Sequence, residues 1–477
     1  MNYKMDSTNS SIATEKTAVV IGGSIAGMLA AQVLTKHFDR VIILERDLLK
    51  TIEQAEQRPG VPQSLHVHGL LMRGQQILEQ LFPGIVAELA DSGAPLINWT
   101  ADCPWLGFGG WSPRFRSHLT TPTFSRNLLE LTIRKHLAAN DRVEFRSATQ
   151  VTSLLSNVNK TAVTGVQIRT GNEPETEIFA DLVVDATGRN SRTPHWLQGM
   201  GYEPPQETIV NSFLGYASRW YQLPADLQID WHSVFITAQP PGTRGGVLYQ
   251  IEGKRWILTM VGIGRDYPPT DEAGFLEFAR SLRSPMIYEA IKNAEPISPI
   301  YAYKRTENSL RHYEKLSRFP ENLVVLGDAV CSFNPVYGQG MTTAALGAVT
   351  LDECLSQQGN LIGLSRRFQK QLNQVISVPW MMATGEDFRW STTEGGQPSF
   401  INKMMQRYLE QVLVLQSKSA EVHQLFLEVV NMIKPPSAFF HPRILIQVLR
   451  QVFAFQIQGE NLNQGESLPK SLPAVVK

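Results

Sequence analysis

"VIGGSIAGMLAA", Val20–Ala31, decides how the rest of the chain is read. The run that leads into it, "TAVVI", is β-branched and suits a strand buried on both faces. The residues after the glycines, "AGMLAAQVLTKHF", have helical spacing and good helix formers. "RVIILERD" then reads as a second buried strand that ends on an acid. The result is a βαβ unit whose turn is rich in glycine. Gly22 allows the tight turn, and Gly27 lets helix and strand pack closely. The middle position needs a small residue so that the backbone can approach a pyrophosphate. Ser24 stands there, beside Gly23. The helix N-terminus adds N–H groups and partial positive charge. Glu45 ends the second strand, where an acid meets a ribose hydroxyl. This pattern predicts a site for an adenine dinucleotide. The plainer alternative is a tight glycine turn with no ligand.

Two later motifs bear on which dinucleotide. "DLVVDATGRNSRTP", Asp181–Pro194, runs a strand into Asp185 and Gly188. "LVVLGDAVCSFNPVYGQGMTTAALGA", Leu323–Ala348, runs a strand into Gly327 and Asp328, then passes Pro335, Gly338 and Gly340 into a helix. An acid at a strand end can hold a ribityl hydroxyl. A glycine turn that opens a helix presents N–H groups to a pyrophosphate or an isoalloxazine carbonyl. Each motif alone is a βα turn; three in this order call for an extended cofactor, FAD.

The organisation fits. A chain of 477 residues exceeds one ordinary core. Lys+Arg and Asp+Glu balance at 44 each, so no global field favours nucleic acid or an anionic membrane. Three cysteines without metal spacing fit a reducing, cytoplasmic setting. No run of 18 apolar residues exists, so no membrane span is predicted. The fold class is α/β (α+β). It divides as a polar, disordered tail 1–16, an FAD-binding domain 17–201 resumed at 302–358, an inserted β-sheet substrate domain 202–301, a helical region 359–457 and a polar tail 458–477. "LLMRGQQILEQLFPGIVAELADSG" is predicted as helix, and "TFSRNLLELTIRKHLAAN" as a helix capped by Ser125.

Together the motifs resemble the FAD-dependent class A monooxygenases of the p-hydroxybenzoate hydroxylase fold, from about Thr17 to Leu351. "RPGVPQSLHVHGLL", "DATGRNSRTPHWL" and "GDAVCSFNPVYGQGM" resemble the bacterial branch that contains the polyether epoxidases of lasalocid and monensin biosynthesis. The resemblance implies a bound FAD, reduced by NAD(P)H or replaced by reduced flavin from a partner reductase. It further implies a flavin hydroperoxide that hydroxylates or epoxidises an apolar or aromatic small molecule, free or bound to a carrier or peptide, in specialised metabolism. On this resemblance Gly22, Ser24 and Gly27 hold the pyrophosphate and Glu45 the adenosine ribose. Arg126 lies along the phosphates, Asp328 takes the ribityl chain, and Pro335–Met341 lies against the flavin ring. Gly23, Ala26, Arg46, Val151, Asp185, Gly188 and Gly327 complete the cofactor set, with Pro335, Gly338, Gly340 and Met341 at the ring. Ser24 replaces the family's middle glycine.

His66 and His68 are the catalytic candidates, placed by the resemblance beside the flavin. A structural role, steadying their loop, is equally open. With Gln63 they make a poor zinc set, and no metal is expected. The aromatic stretch "WTADCPWLGFGGWSPRF", Trp99–Phe115, is either a substrate cleft wall or a core layer. "VPWMMATGEDFRW", with Asp387, reads as a helix-packing cluster, and "AFFHPRILIQVLRQVFAF" as a helix packed on the domain rather than on a membrane.

Four functions compete: oxygen insertion, flavin-dependent halogenation, reduction of isoprenoid double bonds, and FAD binding without catalysis. "PVYGQG" lacks the serine a halogenase characteristically carries, and no tryptophan box is present. Lys304 is the one lysine retained as a halogenase candidate.

Overall fold

The computed structural model describes residues 15–50, 57–225, 227–358, 360–457 and 472–476. Most of the N-terminal tail and most of the C-terminal tail read from the sequence lie outside these residues.

The opening βαβ unit forms the middle of a five-stranded sheet. Thr17–Ile21 pairs in parallel with Arg40–Leu44 on one side and Leu182–Asp185 on the other. Val143–Arg146 and Leu323–Val325 extend the sheet outward, also in parallel. All three motifs therefore end at the same edge of one sheet, where ligands bind in doubly wound folds. The central strands are apolar runs because protein covers both faces. Ile25–Leu34 and Gly340–Gln358 pack together on one side. Residues 149–179 form a three-stranded antiparallel sheet on the chain that joins the first and second motifs.

A seven-stranded sheet makes the second layer, in the order 301–303, 215–222, 255–262, 244–251, 233–236, 105–107, 110–111. Its last two strands come from the aromatic stretch, well ahead of residue 202. Trp99 and Trp111 of the stretch are buried in core layers, while Trp105, Phe108 and Phe115 are half-buried. Trp105 stacks on Phe235 at 4.4 Å between ring centres and meets Phe426 edge-on at 5.5 Å, while Trp99 leans on Phe235 and Tyr249. The helical C-terminal region is thereby welded to the sheet.

Helices form largely where periodicity places them. The stretch from Leu70 to Gly93 breaks into Met72–Leu81 and Ile85–Asp91, because Pro83 and Gly84, at φ +91°, interrupt it. Arg126–Ala138 starts on Ser125, whose hydroxyl accepts from Leu128 N–H. The C-terminal helices are Leu364–Asp387, Phe400–Gln416, Ala420–Val430 and Pro442–Ile457. The last buries Ile444 and Val448 against Val412, Leu415 and Val429. Among the described residues no helix is long and apolar enough to cross a membrane. Val475–Val476 pairs in parallel with Arg114–Phe115.

Candidate functional site

The first glycine turn is shaped by contacts that exclude side chains. Gly22 has φ +105°, and a Cβ there would lie 2.6 Å from Ala186 O. A Cβ on Gly27 would lie 1.8 Å from Gly22 O. Gly22 N–H donates to Leu44 O and Gly23 N–H to the Glu45 carboxylate, at 2.8 and 2.9 Å. Ser24 precedes the Ile25–Leu34 helix but makes no capping bond, and no acid stands in the first turn. Its hydroxyl instead accepts from Arg126 Nη2 at 2.8 Å.

Five charged side chains surround this turn. Buried Arg58 pairs with Glu45 at 2.8 Å, Glu130 at 2.7 Å and Asp47 at 3.3 Å, and donates to Gly23 O at 3.2 Å. Burial opposes the Arg58 charge, but Glu130 and Glu45 outweigh it and raise the guanidinium above its usual value. Arg126 pairs with Glu130 at 2.9 Å. Burial lowers Arg126, and neighbouring Arg58 lowers it further, against Glu130 and Asp328. Arg58 opens the "RPGVPQSLHVHGLL" stretch, but no role follows from the sequence alone for it or for Glu130. The i, i+4 spacing of Arg126 and Glu130 is the one hint the chain offers.

The second motif turns on Asp185, which is fully buried. Its oxygens accept from Thr187 N–H and Oγ1, Ser191 Oγ and Thr193 Oγ1, at 2.9, 2.6, 2.5 and 2.6 Å. The carboxylate thus shapes its own loop, and Gly188 leaves that loop at φ +78°. In the third motif Gly327, at φ +63°, comes so close to Ala26 that a Cβ would lie 2.8 Å from the alanine Cβ. The Asp328 side chain reaches solvent although protein encloses it, as expected in a deep open slot. Burial raises its carboxyl above the usual value, against Arg189 and Arg126.

Beyond Asp328 the turn Pro335–Tyr337 ends in Gly338 at φ +66°. A Cβ on Gly338 would sit 3.7 Å from Leu71 and 3.8 Å from Gly69 O; one on Gly340, 3.8 Å from Asp328 Oδ1. The histidine segment therefore lies between this turn and the large sheet. Buried His66 Nδ1 hydrogen-bonds Ser218 Oγ at 2.7 Å, and Ser218 reaches Thr259 Oγ1 at 2.6 Å. Its ring meets Tyr216 edge-on at 4.5 Å. His68 Nδ1 donates to His66 O at 2.9 Å. Burial, then the neighbouring His68, takes His66 down to about 3; burial, then Arg126, takes His68 down to about 4. Both rings are neutral near pH 7.

The crevice so built joins Gly22, Gly23, Ser24, Ala26, Glu45 and Arg126 to Gly327, Asp328, Gly338 and Gly340. Arg46 is exposed, and Val151 is buried in the antiparallel sheet. Met341 packs partly against the main core. These residues fit FAD. The helix N-terminus offers N–H groups without a side-chain cap, and buried Arg126, paired with Glu130, stands beside it through Ser24. Asp328 at the slot matches a hydroxylated chain, and the Gly338 turn leaves room for a flat ring. Among the described residues no cluster of three His, Cys, Asp or Glu side chains can hold a metal.

Comparison with known proteins agrees. The FAD binding domain family matches residues 15–358. Protein Rv3254 of Mycobacterium tuberculosis is 33% identical over 79% of this chain and 81% of its own length. Kynurenine 3-monooxygenase of Salinispora tropica is 24% identical over 71% of this chain and 72% of its own. The structure of the flavin-dependent brominase Bmp2 superposes with a TM-score of 0.63 at 14% identity, covering 92% of this chain and 99% of that one. The protein belongs to the FAD binding domain family and is an FAD-dependent oxidoreductase.

Proposed function

We propose that the protein is a monooxygenase that inserts oxygen into an apolar or aromatic small molecule. The observation that carries this reading is the character of the crevice beyond Gly338. Neutral His66 and His68, Tyr216 and Tyr303 line the side toward the large sheet. Lys304, the candidate for guiding an oxidised halogen, is exposed and lies over the Tyr267 ring at 4.7 Å. The similarity to kynurenine 3-monooxygenase supports the same class. The likeness to a brominase concerns the fold and leaves halogenation as the second reading. The resemblance of the motifs to the polyether-epoxidase branch supports an epoxidase, and the few cysteines support a cytoplasmic setting.

Bound FAD supplies the redox chemistry and the activation of oxygen. The protein does the rest. The helix N-terminus and Arg126 hold the phosphates, Glu45 the ribose, and Asp328 the ribityl hydroxyls. The Gly338–Gly340 backbone orients the ring, with Gly188 and Gly327 keeping the slot open. The aromatic layer excludes water from the reacting end. His66, neutral and held by Ser218, offers a hydrogen-bonding ring without placing a charge in the site. The electrons come from NAD(P)H or a flavin reductase.

Purified protein is to be reduced with NADH, NADPH or a reductase, then given oxygen and apolar aromatic or alkene substrates, with and without bromide and chloride. A product gaining one oxygen atom supports the proposal. A halide-dependent gain of halogen with no oxygenated product establishes the second reading instead.

A further inference from the structure

The helical C-terminal region reaches the crevice through one buried carboxylate. Asp387 ends the Leu364–Asp387 helix and is 1% exposed. Tyr337 Oη, Ser212 Oγ and Asn334 Nδ2 donate to its Oδ1 at 2.6, 3.0 and 3.1 Å, and Asn308 Nδ2 to its Oδ2 at 2.6 Å. Asn334 and Tyr337 belong to the turn that ends in Gly338. Asn308 begins the strand Asn308–Arg311, which pairs with Cys331–Ser332. Ser212 lies just before the Gly215–Gln222 strand of the large sheet. Asn334 is tied twice more: its N–H donates to Asn308 Oδ1 at 2.7 Å, and its own Oδ1 accepts from Val336 N–H at 3.3 Å. The turn thus hangs from Asp387 and Asn308.

These four partners are uncharged. Arg389, two residues on, is engaged by Glu386. A buried carboxylate with no counter-ion is costly, and an apolar residue packs there at lower cost. Such a carboxylate suits a task that only a multiple acceptor performs: gathering donors from three separate segments onto one point. Burial holds the Asp387 carboxyl at about 6, against the pull of Tyr337, Ser212 and Asn334 and with a push from Glu386. Tyr337 and Glu386 are the titratable groups that act on it.

We propose that Asp387 is a positioning residue for the flavin ring: it fixes the Asn334–Gly338 turn from beneath and so sets where the Gly338–Gly340 backbone meets the cofactor. The inference rests on FAD binding in this crevice, not on the class of reaction. Asp387 lies beyond residues 15–358, the part that matches the FAD binding domain family. The positioning device is therefore a contribution of the chain's own C-terminal region.

The test titrates apoprotein with FAD at pH values on both sides of about 6, following flavin fluorescence and the visible circular dichroism of the bound ring. Wild type is compared with Asp387→Asn and Tyr337→Phe, with thermal melting as the check on folding. In wild type, affinity and dichroism change across that interval. Asp387→Asn is expected to flatten the change and weaken FAD about tenfold, which is about 1.4 kcal/mol. Tyr337→Phe removes one donor from the charged form, so its transition moves to higher pH with a smaller loss of affinity. Lower melting with a wild-type pH profile and wild-type flavin dichroism overturns the proposal. Should Asp387→Asn fail to fold, Tyr337→Phe and Ser212→Ala decide: an unchanged transition and unchanged dichroism in both overturn it. Wild-type apoprotein that takes up no FAD overturns the cofactor assignment itself, a separate outcome.

Discussion

The two ends of the crevice are built from opposite materials. At the first glycine turn, Glu45, Asp47, Arg58, Arg126 and Glu130 form one buried network of ion pairs. Past Gly338, the groups that meet are histidines held neutral, tyrosines, hydroxyls and a carboxylate with uncharged donors. The difference follows from what each end meets. A pyrophosphate keeps its charge throughout turnover, so a rigid frame of fixed charges suits it. A flavin ring gains and loses electrons and protons, so neutral hydrogen bonds that can shift suit it better. A fixed ion pair there would favour one redox state over the others.

Mutations can break or sharpen this contrast. The largest effect is expected from Gly27→Val, whose Cβ would begin 1.8 Å from Gly22 O. Helix and strand must then separate, and the purified protein should lack the yellow cofactor and melt far below wild type. A yellow, stable variant would mean that close helix–strand packing does not define this end. Arg58→Met comes next. It takes the arginine from Glu45 and Asp47 in a buried site, leaving Glu130 with Arg126, and breaking such a pair costs about 3–5 kcal/mol, read by urea unfolding. A loss near zero would show the network to be solvated and erase the contrast.

Asp328→Ala removes the acceptor in the slot. FAD affinity should fall by about 1.5–3 kcal/mol in a fluorescence titration, while unfolding in the absence of FAD changes little. The neutral end has its own pH signature. His66 titrates at about 3 in the folded protein, whereas the unfolded chain takes up the proton near the ordinary histidine value. Its contribution to stability is therefore fully present above that ordinary value and is lost as pH falls below it, on the order of 2 kcal/mol by about pH 5. His66→Gln should flatten that part of the stability curve; an unchanged slope would mean the ring is charged. Ser24→Gly should matter least. It removes one hydrogen bond from Arg126, worth about 1 kcal/mol, and keeps the cofactor.

The same contrast governs what the sequence could reveal. Gly22, Gly27 and Gly338 are needed by backbone geometry, and backbone geometry leaves a spacing in the chain. The strands of the parallel sheet are apolar runs for an equally local reason. Arg58 leaves a weaker trace: it opens the "RPGVPQ" stretch, but its partners lie 11 to 72 residues away, and its own neighbourhood reads as a polar loop. Asp387 sits in a stretch that looks like ordinary helix packing, and only folding shows which turn it holds. The edge strands at 105–111 were obscured for another reason. Aromatic residues satisfy a core layer and a cleft wall equally well, and the pairing of these strands with 233–236 is set by a segment more than a hundred residues on. Glu45 and Asp185 are both acids at strand ends. Their surroundings differ: Glu45 meets an arginine from a separate loop, whereas Asp185 is ringed by hydroxyls of its own motif.

The charge network at the first turn also constrains how the protein can change over evolutionary time. Arg58 serves three carboxylates, and Glu130 serves two arginines. Loss of Arg58 strips Glu45 and Asp47 of their arginine, and loss of Glu130 strips Arg126 of its carboxylate, before a second substitution can compensate. Each of those steps is costly when taken alone. Among relatives, positions 45, 47, 58, 126 and 130 should either stay fixed together or be exchanged together. A lineage in which one of them has drifted alone would mark a protein that has rebuilt its phosphate site.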